Sequence, residues 1–361
     1  MSFIRNSRNA IQQWAWRRAI SLKASVHDLD YFFWESTLKC NLTCRHCGSD
    51  CTRDSQMPEL SADKVMSVFH DIANNYDAKR IMVAVTGGEP LMRGDLFEIL
   101  AEVSTLGFPC GMVTNGLMVT EKVVENCMQT GMRTVSVSLD GLEYSNNWLR
   151  NHPDAYTRAI NAIRLLLSVR QFDMVEVITC VHPGNINELP RMYNLLREMG
   201  VQGWRIFSIF SKGRAVQQDG LVTSSELLKR TLQFIKEKRA ANPAWPLIYC
   251  EEGFLGCEWE REVRQSPYYC GAGINIASLL CDGSYSACPS LSRQWIQGHV
   301  DELTFHEAWE TRYQQMRNRK WMKNDFCADC RQWGNCQASS LHLWDWEQHQ
   351  PQVCHYRMVN E

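Results

Sequence analysis

The chain has 361 residues, of which 45% are hydrophobic and 22% are charged, and its formal net charge is −2. This composition is typical of a folded globular protein and excludes disordered, collagen-like and coiled-coil classes. The small net charge excludes a general electrostatic attraction to nucleic acid. No apolar run approaches the roughly 18 residues of a membrane span, and the first 30 residues do not read as a secretory signal. We therefore expect a cytoplasmic protein of about two domains.

Residues 1–30 form a basic extension that we predict to be a helix. It carries five cationic side chains and no acidic residue before Asp28. Ile4, Ile11 and Trp14 recur at helical spacing, which favours an amphipathic helix. Two interpretations stay open: the helix packs on the next domain, or it makes peripheral contact with a membrane surface or an acidic partner.

Between residues 31 and 240, short apolar runs alternate with longer segments of helical periodicity. The predicted strands are Phe33–Leu38, Ile81–Thr86, Gly111–Thr114, Thr134–Leu139, Val175–Val181 and Trp204–Ile209. The predicted helices are Ser61–Tyr76, Asp95–Leu106, Thr120–Thr130, Tyr156–Val169 and Ile186–Met199. This alternation indicates an α/β fold in which right-handed crossovers curl six parallel strands into a partial (β/α)6 barrel similar to a TIM barrel. Functional residues of such sheets lie at the carboxyl ends of the strands.

The pattern changes near residue 240, where Pro243 and Pro246 mark a break and regular alternation ends. Nine of the 16 cysteines lie between Cys250 and Cys354. In a reducing compartment, cysteines at short spacings more often bind metal than form disulfides. We therefore predict that residues 241–361 form a small cysteine-rich domain whose fold depends on metal.

The sequence Cys40-Asn-Leu-Thr-Cys44-Arg-His-Cys47 follows the first predicted strand. Three thiolates on one short loop can hold three corners of an iron–sulfur cube and leave one iron without a protein ligand. A structural zinc site, with His46 or Cys51 as the fourth ligand, is the alternative.

This cysteine loop at the end of the first strand resembles that of the radical S-adenosylmethionine (SAM) superfamily, and the resemblance extends over roughly residues 30–215. Thr86-Gly-Gly-Glu-Pro90 after the second strand is similar to the family's GGEP segment. The resemblance implies an enzyme with a [4Fe–4S] cluster on Cys40, Cys44 and Cys47, an open iron site, and SAM as cofactor. The SAM-binding residues that it implies are His46, Gly87, Gly88, Glu89, Asn115, Ser138, Asp140 and Arg150.

The resemblance also implies a part for each of these groups. The segment at residues 87–89 meets the amino group of SAM, and the polar residues that end the third and fourth strands contact its ribose and carboxylate. Arg150 pairs with the SAM carboxylate, for which a planar guanidinium is better suited than an ammonium. His46 packs beside the adenine. Arg214, after the sixth strand, is a further candidate for contact with SAM or substrate.

The C-terminal cysteines resemble those of the SPASM domain, which carries auxiliary iron–sulfur clusters in radical SAM peptide maturases. One or two auxiliary clusters are therefore implied. One ligand set is complete, with zinc as the alternative occupant: Cys327, Cys330, Cys336 and Cys354. For the other, Cys270 and Cys288 match, but Ser340 stands where a cysteine is expected. Its remaining ligands would come from Cys257, Cys281 or Cys250, or one iron stays open.

The sequence departs from related maturases at the position after Cys288. Anaerobic sulfatase maturases carry an acid–base aspartate there, and this chain has Pro289, so the catalytic residue stays unknown. The local sequences at residues 47–51 and 270–276 are most similar to a subgroup associated with lipoprotein-type partners.

The activity implied by the resemblance is reductive cleavage of SAM to a 5′-deoxyadenosyl radical that abstracts hydrogen from a substrate. We expect this substrate to be a peptide or protein linked to a lipoprotein, with flavodoxin or ferredoxin as the reducing partner. Two alternatives stay open. One is the same chemistry on a small molecule such as a tetrapyrrole side chain, and the other is a non-catalytic iron–sulfur or zinc protein.

Overall fold

The computed structural model describes residues 2–250 and 252–361 as helices packed around a central sheet. The strands are β1 Tyr31–Glu35, β2 Met82–Thr86, β3 Cys110–Thr114, β4 Thr134–Ser138, β5 Met174–Val181, β6 Gly203–Ser208, β7 Leu247–Tyr249, β8 Ile276–Leu279, β9 Ser284–Ser286, β10 Gly298–His299, β11 Trp344–Asp345 and β12 Gln350–Pro351. The helices are α1 Ser2–Val26, α2 Ala62–Asn75, α3 Leu96–Thr105, α4 Glu121–Gln129, α5 Glu143–Arg150, α6 Ala155–Ser168, α7 Leu189–Glu198, α8 Ser225–Ala241, α9 Cys257–Val263, α10 Phe305–Arg312, α11 Gln314–Arg317, α12 Asp325–Ala328, α13 Trp333–Cys336 and α14 His355–Asn360.

The main sheet has ten strands in the order β10-β9-β8-β1-β2-β3-β4-β5-β6-β7. Strands β1 to β7 are parallel neighbours in chain order, as right-handed βαβ units require. The α/β fold class is thereby confirmed. The sheet is larger than predicted because β7 follows β6 and because β8, from the cysteine-rich segment, pairs in parallel with β1.

The predicted division of the chain at residue 240 stays a prediction. Helix α8 continues to Ala241, and β7 lies beyond the division, where it pairs with β6. At three residues, β7 is too short to produce a detectable alternation of apolar and polar residues.

Strand β1 shows how the core is divided between the two faces of the sheet. Phe32 and Trp34 are buried on the helix side, where the ring of Phe32 packs edge-on against Phe69 of α2 and Phe305 of α10. Tyr31 and Phe33 point to the other face, since side chains alternate along a strand. The strand ends at Glu35, three residues before the predicted end, and the chain then leaves the sheet toward the first cysteine.

Helix α2 begins after Ser61, as predicted from its Ser-Ala-Asp start. Ser61 has extended backbone geometry at the N-cap, and Asp63 lies in the first turn, where it interacts favourably with the helix dipole. Val65, Phe69 and Ile72 are buried at spacings of four and three residues. The apolar stripe therefore faces the sheet, as the periodicity predicts.

Helix α1 packs against the C-terminal part of the chain. The Trp16 indole N–H donates to the carbonyl of Tyr268 at 3.4 Å, and the Arg17 guanidinium donates to Asn335 at 2.8 Å. Ile20 is buried on the same side of the helix. On this side, α1 therefore packs against the rest of the chain, which is the first of the two interpretations of the basic segment.

The opposite side of α1 is exposed. Its large apolar side chains have 50–67% of their surface accessible: Ile11, Trp14, Leu22 and Val26. The side chain of Ile4 lies outside the described residues. Within the described ranges, no helix combines the length and apolarity needed to cross a bilayer.

Gly87 and Gly88 follow β2 and lie directly against the chain that leads to the cysteine loop. The Gly88 N–H donates to the Thr37 carbonyl at 2.7 Å, and the next N–H donates to the Lys39 carbonyl at 2.9 Å. A Cβ on Gly87 would stand 2.2 Å from the Thr37 oxygen, and one on Gly88 would stand 2.2 Å from the Lys39 oxygen. Both positions therefore need glycine because two backbone segments approach each other closely.

We predict that Gly88→Ala displaces the segment before Cys40 and destabilises the protein by about 1–3 kcal/mol, as overpacking of rigid backbone does. Thermal unfolding should show a midpoint lowered by about 2 °C or more. Gly94→Ala is the matched control, because a Cβ at Gly94 meets nothing within 4 Å. Equal midpoints for the two variants would show that the close approach carries no constraint.

Candidate active site and metal centres

The first candidate metal centre is the loop after β1. Cys40 and Cys44 are each 8% exposed, and Cys47 is half-buried beside them. Burial raises the pKa of the Cys40 thiol to about 11. Cys51 is also buried here, and its thiol donates to the Ser49 carbonyl at 3.8 Å. The neighbouring Cys51 lowers the pKa of the Cys47 thiol.

The chemistry of these thiols fits a bound metal cluster. Cys40 and Cys44, whose pKa values are raised by burial, stay protonated at neutral pH unless a metal cation offsets the charge of the thiolate. Sulfurs around a tetrahedral zinc stand roughly 3.8 Å apart, from a Zn–S bond of about 2.3 Å. Among the described residues, no three cysteine sulfurs lie within 4.8 Å of one another. The thiols are therefore not gathered at the spacing of a tetrahedral zinc site.

Arg214 holds a later part of the cysteine loop than the glycines do. Its guanidinium donates to the carbonyls of Cys44 at 2.8 Å and Cys51 at 3.0 Å, and its backbone N–H donates to the Cys47 carbonyl at 3.0 Å. The preceding Gly213 has φ +55°, and a Cβ there would stand 2.3 Å from the Cys47 oxygen. The structure therefore places Arg214 as a clamp on the loop backbone.

Glu89 lies fully buried at the ends of β2 and β3. Its carboxylate accepts hydrogen bonds from the Thr114 hydroxyl at 2.7 Å, the Asn115 N–H at 2.8 Å and the Leu91 N–H at 3.4 Å. Burial raises its pKa to about 7, against the lowering effect of these bonds. The side chain thus ties two strand ends together, and the predicted contact with SAM stays a prediction.

Asn115 brings the end of β3 to the cysteine loop. Its side-chain amide donates to Asn41 at 2.7 Å and lies 3.9 Å from the Cys40 sulfur. The following glycine, Gly116, has φ +82° and lies against Ala159 of α6, so the turn is tightly packed. Asn115 is therefore placed where its amide can donate to a thiolate or to a ligand beside it.

Asp140 and Arg150 form a buried ion pair next to the same loop. The Arg150 Nε donates to Asp140 at 2.5 Å, and another guanidinium nitrogen lies 3.8 Å from the Cys44 sulfur. Burial alone would raise the pKa of Asp140, but the adjacent Arg150 charge holds it below its ordinary value. Ser138 ends β4, two residues before Asp140, and is half-buried.

His46 faces this ion pair. Its Nε2 lies 3.9 Å from the Asp140 carboxylate, and burial lowers its pKa to about 4, so the imidazole is neutral at pH 7. Its Nδ1 is buried and has no hydrogen-bond partner among the described residues. The amide nitrogen of Asn146, whose oxygen accepts from the Asp140 N–H, is likewise buried without a partner. Such polar atoms fit a site that a polar ligand completes.

The structure brings all the implied SAM residues to the end of the barrel that carries the cysteine loop. Sequence reasoning missed three residues there: Asn146, Cys180 and Asn185. The Asn185 amide donates to the Cys180 carbonyl at 2.8 Å and also to the Asp140 carbonyl, so it joins the ends of β4 and β5. The Cys180 N–H donates to the Asp140 carboxylate at 2.8 Å. The contacts of Cys180 and Asn185 with Asp140 join residues 40 and 45 positions apart, so no local spacing signals them.

The second candidate metal centre lies in the C-terminal part of the chain. One cavity of about 450 Å³ is lined by all four cysteines of the complete set: Cys327, Cys330, Cys336 and Cys354. Burial, followed by the charges of neighbouring cysteines, raises the pKa of Cys327 to about 11. The Arg357 guanidinium lies 4.1 Å from the ring of Phe326 at this cavity, where its charge can offset bound thiolates. These donors fit an iron–sulfur cluster.

The chain that follows Cys336 has unusual backbone geometry. Gln337, Ala338 and Ser339 all have left-handed backbone angles, with φ of 48°, 63° and 69°. Each such residue costs roughly 1–2 kcal/mol, and such strain persists where surrounding structure or a ligand holds it. The run directs the chain from the four-cysteine cavity toward Ser340.

Cys270 and Cys288, the matching residues of the incomplete set, line another cavity of about 450 Å³. Ser340 lines it as well, with its hydroxyl hydrogen-bonded to the Tyr268 hydroxyl at 2.9 Å. Two of the proposed remaining ligands lie elsewhere. Cys257 accepts from the Asn335 amide under α1, and the Cys281 sulfur lies 3.8 Å from the Arg293 guanidinium.

Comparison with protein families agrees with this arrangement. The radical SAM superfamily model matches residues 34–196, and the SPASM model, described as an iron–sulfur cluster-binding domain, matches residues 270–331. An AdoMet-dependent heme synthase of Methanosarcina barkeri is 32% identical over 327 residues, covering 82% of this chain and 90% of that protein. A similarly named protein of Nitratidesulfovibrio vulgaris is 28% identical over 211 residues, covering 57% of this chain and 55% of its own length.

Solved structures show the same fold. SuiB of Streptococcus suis bound to S-adenosylmethionine has a TM-score of 0.70 at 15% identity, covering 92% of this chain and 78% of its own. The structure of anSMEcpe with bound AdoMet has a TM-score of 0.71 at 16% identity, covering 91% and 94%. The extent of the match to the Methanosarcina barkeri protein, together with the two family models, shows that this chain is a radical SAM superfamily enzyme with a SPASM iron–sulfur cluster-binding domain.

Proposed function

We propose that this enzyme modifies a peptide or protein by radical SAM chemistry. The observation that carries the radical SAM part of the proposal is the buried loop of Cys40, Cys44 and Cys47 with Arg150 and Asn115 beside two of its sulfurs. When bound, a [4Fe–4S] cluster and SAM supply a radical that abstracts a hydrogen atom from the substrate. The three cysteines would hold the cluster and leave one iron open to SAM.

The remaining residues bind and orient SAM in this proposal. The Arg150 guanidinium has five N–H donors, and the contacts with Asp140 and Cys44 use two of them, so others can donate to the SAM carboxylate. His46 is neutral and adds no charge beside the adenine. The clamp of Arg214 on the loop keeps the cluster in position, and burial excludes water from the reacting atoms.

The barrel side of the cavity that Cys270 and Cys288 also line is the proposed substrate site. The barrel contributes aromatic side chains to its wall, among them Tyr31, Phe33 and Phe207, together with Arg205. A mostly apolar wall with a few charged groups is typical of a site for an organic ligand. An auxiliary cluster next to this wall can take an electron from a product radical, which suits oxidative crosslinking or dehydrogenation of a peptide.

Two sets of relatives support different substrates. SuiB has been solved with its precursor peptide SuiA, and anSMEcpe with a Cp18Cys peptide, which supports a peptide or protein substrate. The more similar sequences are named for tetrapyrrole chemistry, including a Pre-heme d1 synthase of Dinoroseobacter shibae at 28% identity over 297 residues. A tetrapyrrole side chain is therefore the second candidate. A small one-electron carrier such as flavodoxin or ferredoxin is the proposed reductant.

We expect the reconstituted, dithionite-reduced enzyme to convert SAM to 5′-deoxyadenosine, measured anaerobically by mass spectrometry. The Cys40→Ala/Cys44→Ala/Cys47→Ala variant should fall to the background of a protein-free sample and lose about four iron atoms per chain. Cys110→Ala/Cys127→Ala is the control, because both thiols are buried in the barrel core away from the loop. A wild-type protein that holds zinc and leaves SAM intact would replace this proposal with a structural-metal role.

The choice of substrate class can be made with two probes. We expect a short peptide or lipoprotein precursor encoded beside this chain's gene to lose two hydrogen atoms in the presence of the enzyme, SAM and reductant. Iron coproporphyrin III should keep its mass under the same conditions. Stepwise loss of carboxyl groups from the porphyrin, with an unmodified peptide, would establish the tetrapyrrole alternative. Both products are read by mass spectrometry.

We further propose that the exposed side of α1 places the enzyme on an anionic membrane surface, where a lipoprotein-associated substrate would lie. Trp14, Leu22 and the other exposed apolar side chains lie on the side of the helix opposite Trp16, which contacts the C-terminal part of the chain. The sequence of residues 1–27 carries five cationic residues and no acidic one, a net positive charge that complements anionic lipid headgroups. Of these, Arg17 and Lys23 bond to Asn335 and Asp30, whereas Arg18 is exposed.

Vesicle sedimentation tests this surface. We expect binding to phosphatidylglycerol vesicles that weakens with salt, and little binding to phosphatidylcholine vesicles. Replacing Ile11, Trp14 and Leu22 with serine should weaken binding about tenfold or more, since each buries apolar area in the interface. Ala19→Ser/Ser21→Ala, at exposed positions of the same helix, is the control. Unchanged binding of the triple variant would refute the surface.

A further inference from the structure

The cavity that holds Cys270 and Cys288 contains two more metal-binding side chains. Cys250, directly after β7, and His342, two residues after Ser340, line the same cavity. Three thiols and one imidazole thus surround one space, and they come from three distant parts of the chain. Thiolate and imidazole are both established ligands of iron in iron–sulfur clusters.

Ser340 is not a suitable replacement for the missing cysteine. Ser340 is buried, with 1% of its surface exposed. Its hydroxyl already forms a hydrogen bond of 2.9 Å with the Tyr268 hydroxyl. His342 differs, because its Nε2 is buried and has no hydrogen-bond partner in the part of the chain that the structure describes. A buried imidazole nitrogen without a partner costs free energy unless a ligand satisfies it.

The charges around the cavity connect the same residues. Cys270 and Cys288 are close enough that the charge of the former raises the pKa of the latter, after the larger effect of burial. Lys212 carries a charge that acts on both Cys288 and His342, and its ammonium donates to the Ser290 carbonyl at the edge of the cavity. A cation beside this space offsets the negative charge that thiolates would bring.

We propose that Cys250, Cys270, Cys288 and His342 ligate an auxiliary [4Fe–4S] cluster in which an imidazole takes the place of one thiolate. Cys257 and Cys281 are not ligands, because each lies in a different part of the structure. A neutral imidazole in place of a thiolate makes the cluster less negative, and such replacement raises the reduction potential. A higher potential favours the uptake of an electron from a substrate radical at the neighbouring aromatic wall.

Counting of iron and sulfide in the reconstituted full chain without SAM tests the thiol ligands. Cys270→Ala/Cys288→Ala should lose about four iron and four sulfide per chain relative to wild type. Cys257→Ala/Cys281→Ala, the control with the same number of cysteines removed, should lose none. Full iron retention by the first variant, or equal loss by both, would overturn the proposal.

The imidazole ligand has its own spectroscopic test. We expect the reduced, SAM-free protein grown with ¹⁵N-histidine to show nitrogen hyperfine coupling to a cluster in pulsed EPR. His342→Cys should abolish the coupling and keep the iron and sulfide, whereas His355→Gln, at a second buried histidine, should preserve the coupling. Absence of histidine coupling in the wild type, or its persistence in His342→Cys, would overturn the proposal. This test does not need the cysteine variant to fold.

The proposed ligands extend the proposed function to an auxiliary cluster of the SPASM domain, and they do not depend on which substrate the enzyme modifies. SAM cleavage measured on the same samples separates the two. Histidine coupling without 5′-deoxyadenosine would leave the cluster assignment in place and remove the proposed activity. Formation of 5′-deoxyadenosine without histidine coupling would support the proposed activity and overturn the cluster assignment.

Discussion

The placement of the cysteine loop by backbone contacts is the constraint on which the rest of the site depends. The loop has little regular structure of its own, so neighbouring segments must fix it. The N–H groups of Gly88 and Glu89 hold its entry by donating to the Thr37 and Lys39 carbonyls, and Arg214 holds a later part of the loop by donating to carbonyls of the loop itself. Hydrogen abstraction requires reacting atoms at near-contact distance, and a displacement of about 1 Å can cost 10²-fold in rate. The glycines and the arginine would therefore affect the rate by fixing the position of the cysteine loop.

Charge balance explains why so many polar groups converge on a buried place. A cluster with thiolate ligands is negatively charged, and a buried charge needs hydrogen-bond donors or a counter-charge. The Asn115 amide and the Arg150 guanidinium stand beside Cys40 and Cys44 and provide both. Asp140 in turn fixes Arg150, so the arginine is oriented before a ligand binds. In its proposed role, Arg150 would bind SAM with little rearrangement, which lowers the entropic cost of binding.

Local periodicity predicts the part of the fold that local forces determine. Strands β2 and β4 are found within one residue of their predicted bounds, and α2 begins after its predicted cap. The four-cysteine set is brought into one cavity because three of its members are only a few residues apart. In contrast, the pairing of β8 with β1 joins residues more than 240 positions apart in the sequence. A strand of four residues is also too short for its pattern of apolar residues to predict it. The clamp by Arg214 and the position of His342 are non-local in the same way, so no spacing could reveal them.

The C-terminal segment arranges the candidate metal sites as neighbours that share walls. Cys336 and Ser339 line the four-cysteine cavity, while Ser340 and His342, immediately after them, line the other. Lys212 in turn lies against Gly48 of the cysteine loop and donates to the carbonyl of Ser290. In a medium of low effective dielectric, charges in adjacent sites interact more strongly than they do in water. A change in the oxidation state of one proposed cluster would therefore shift the potential of its neighbour. The left-handed run after Cys336 is the covalent link between the two cavities.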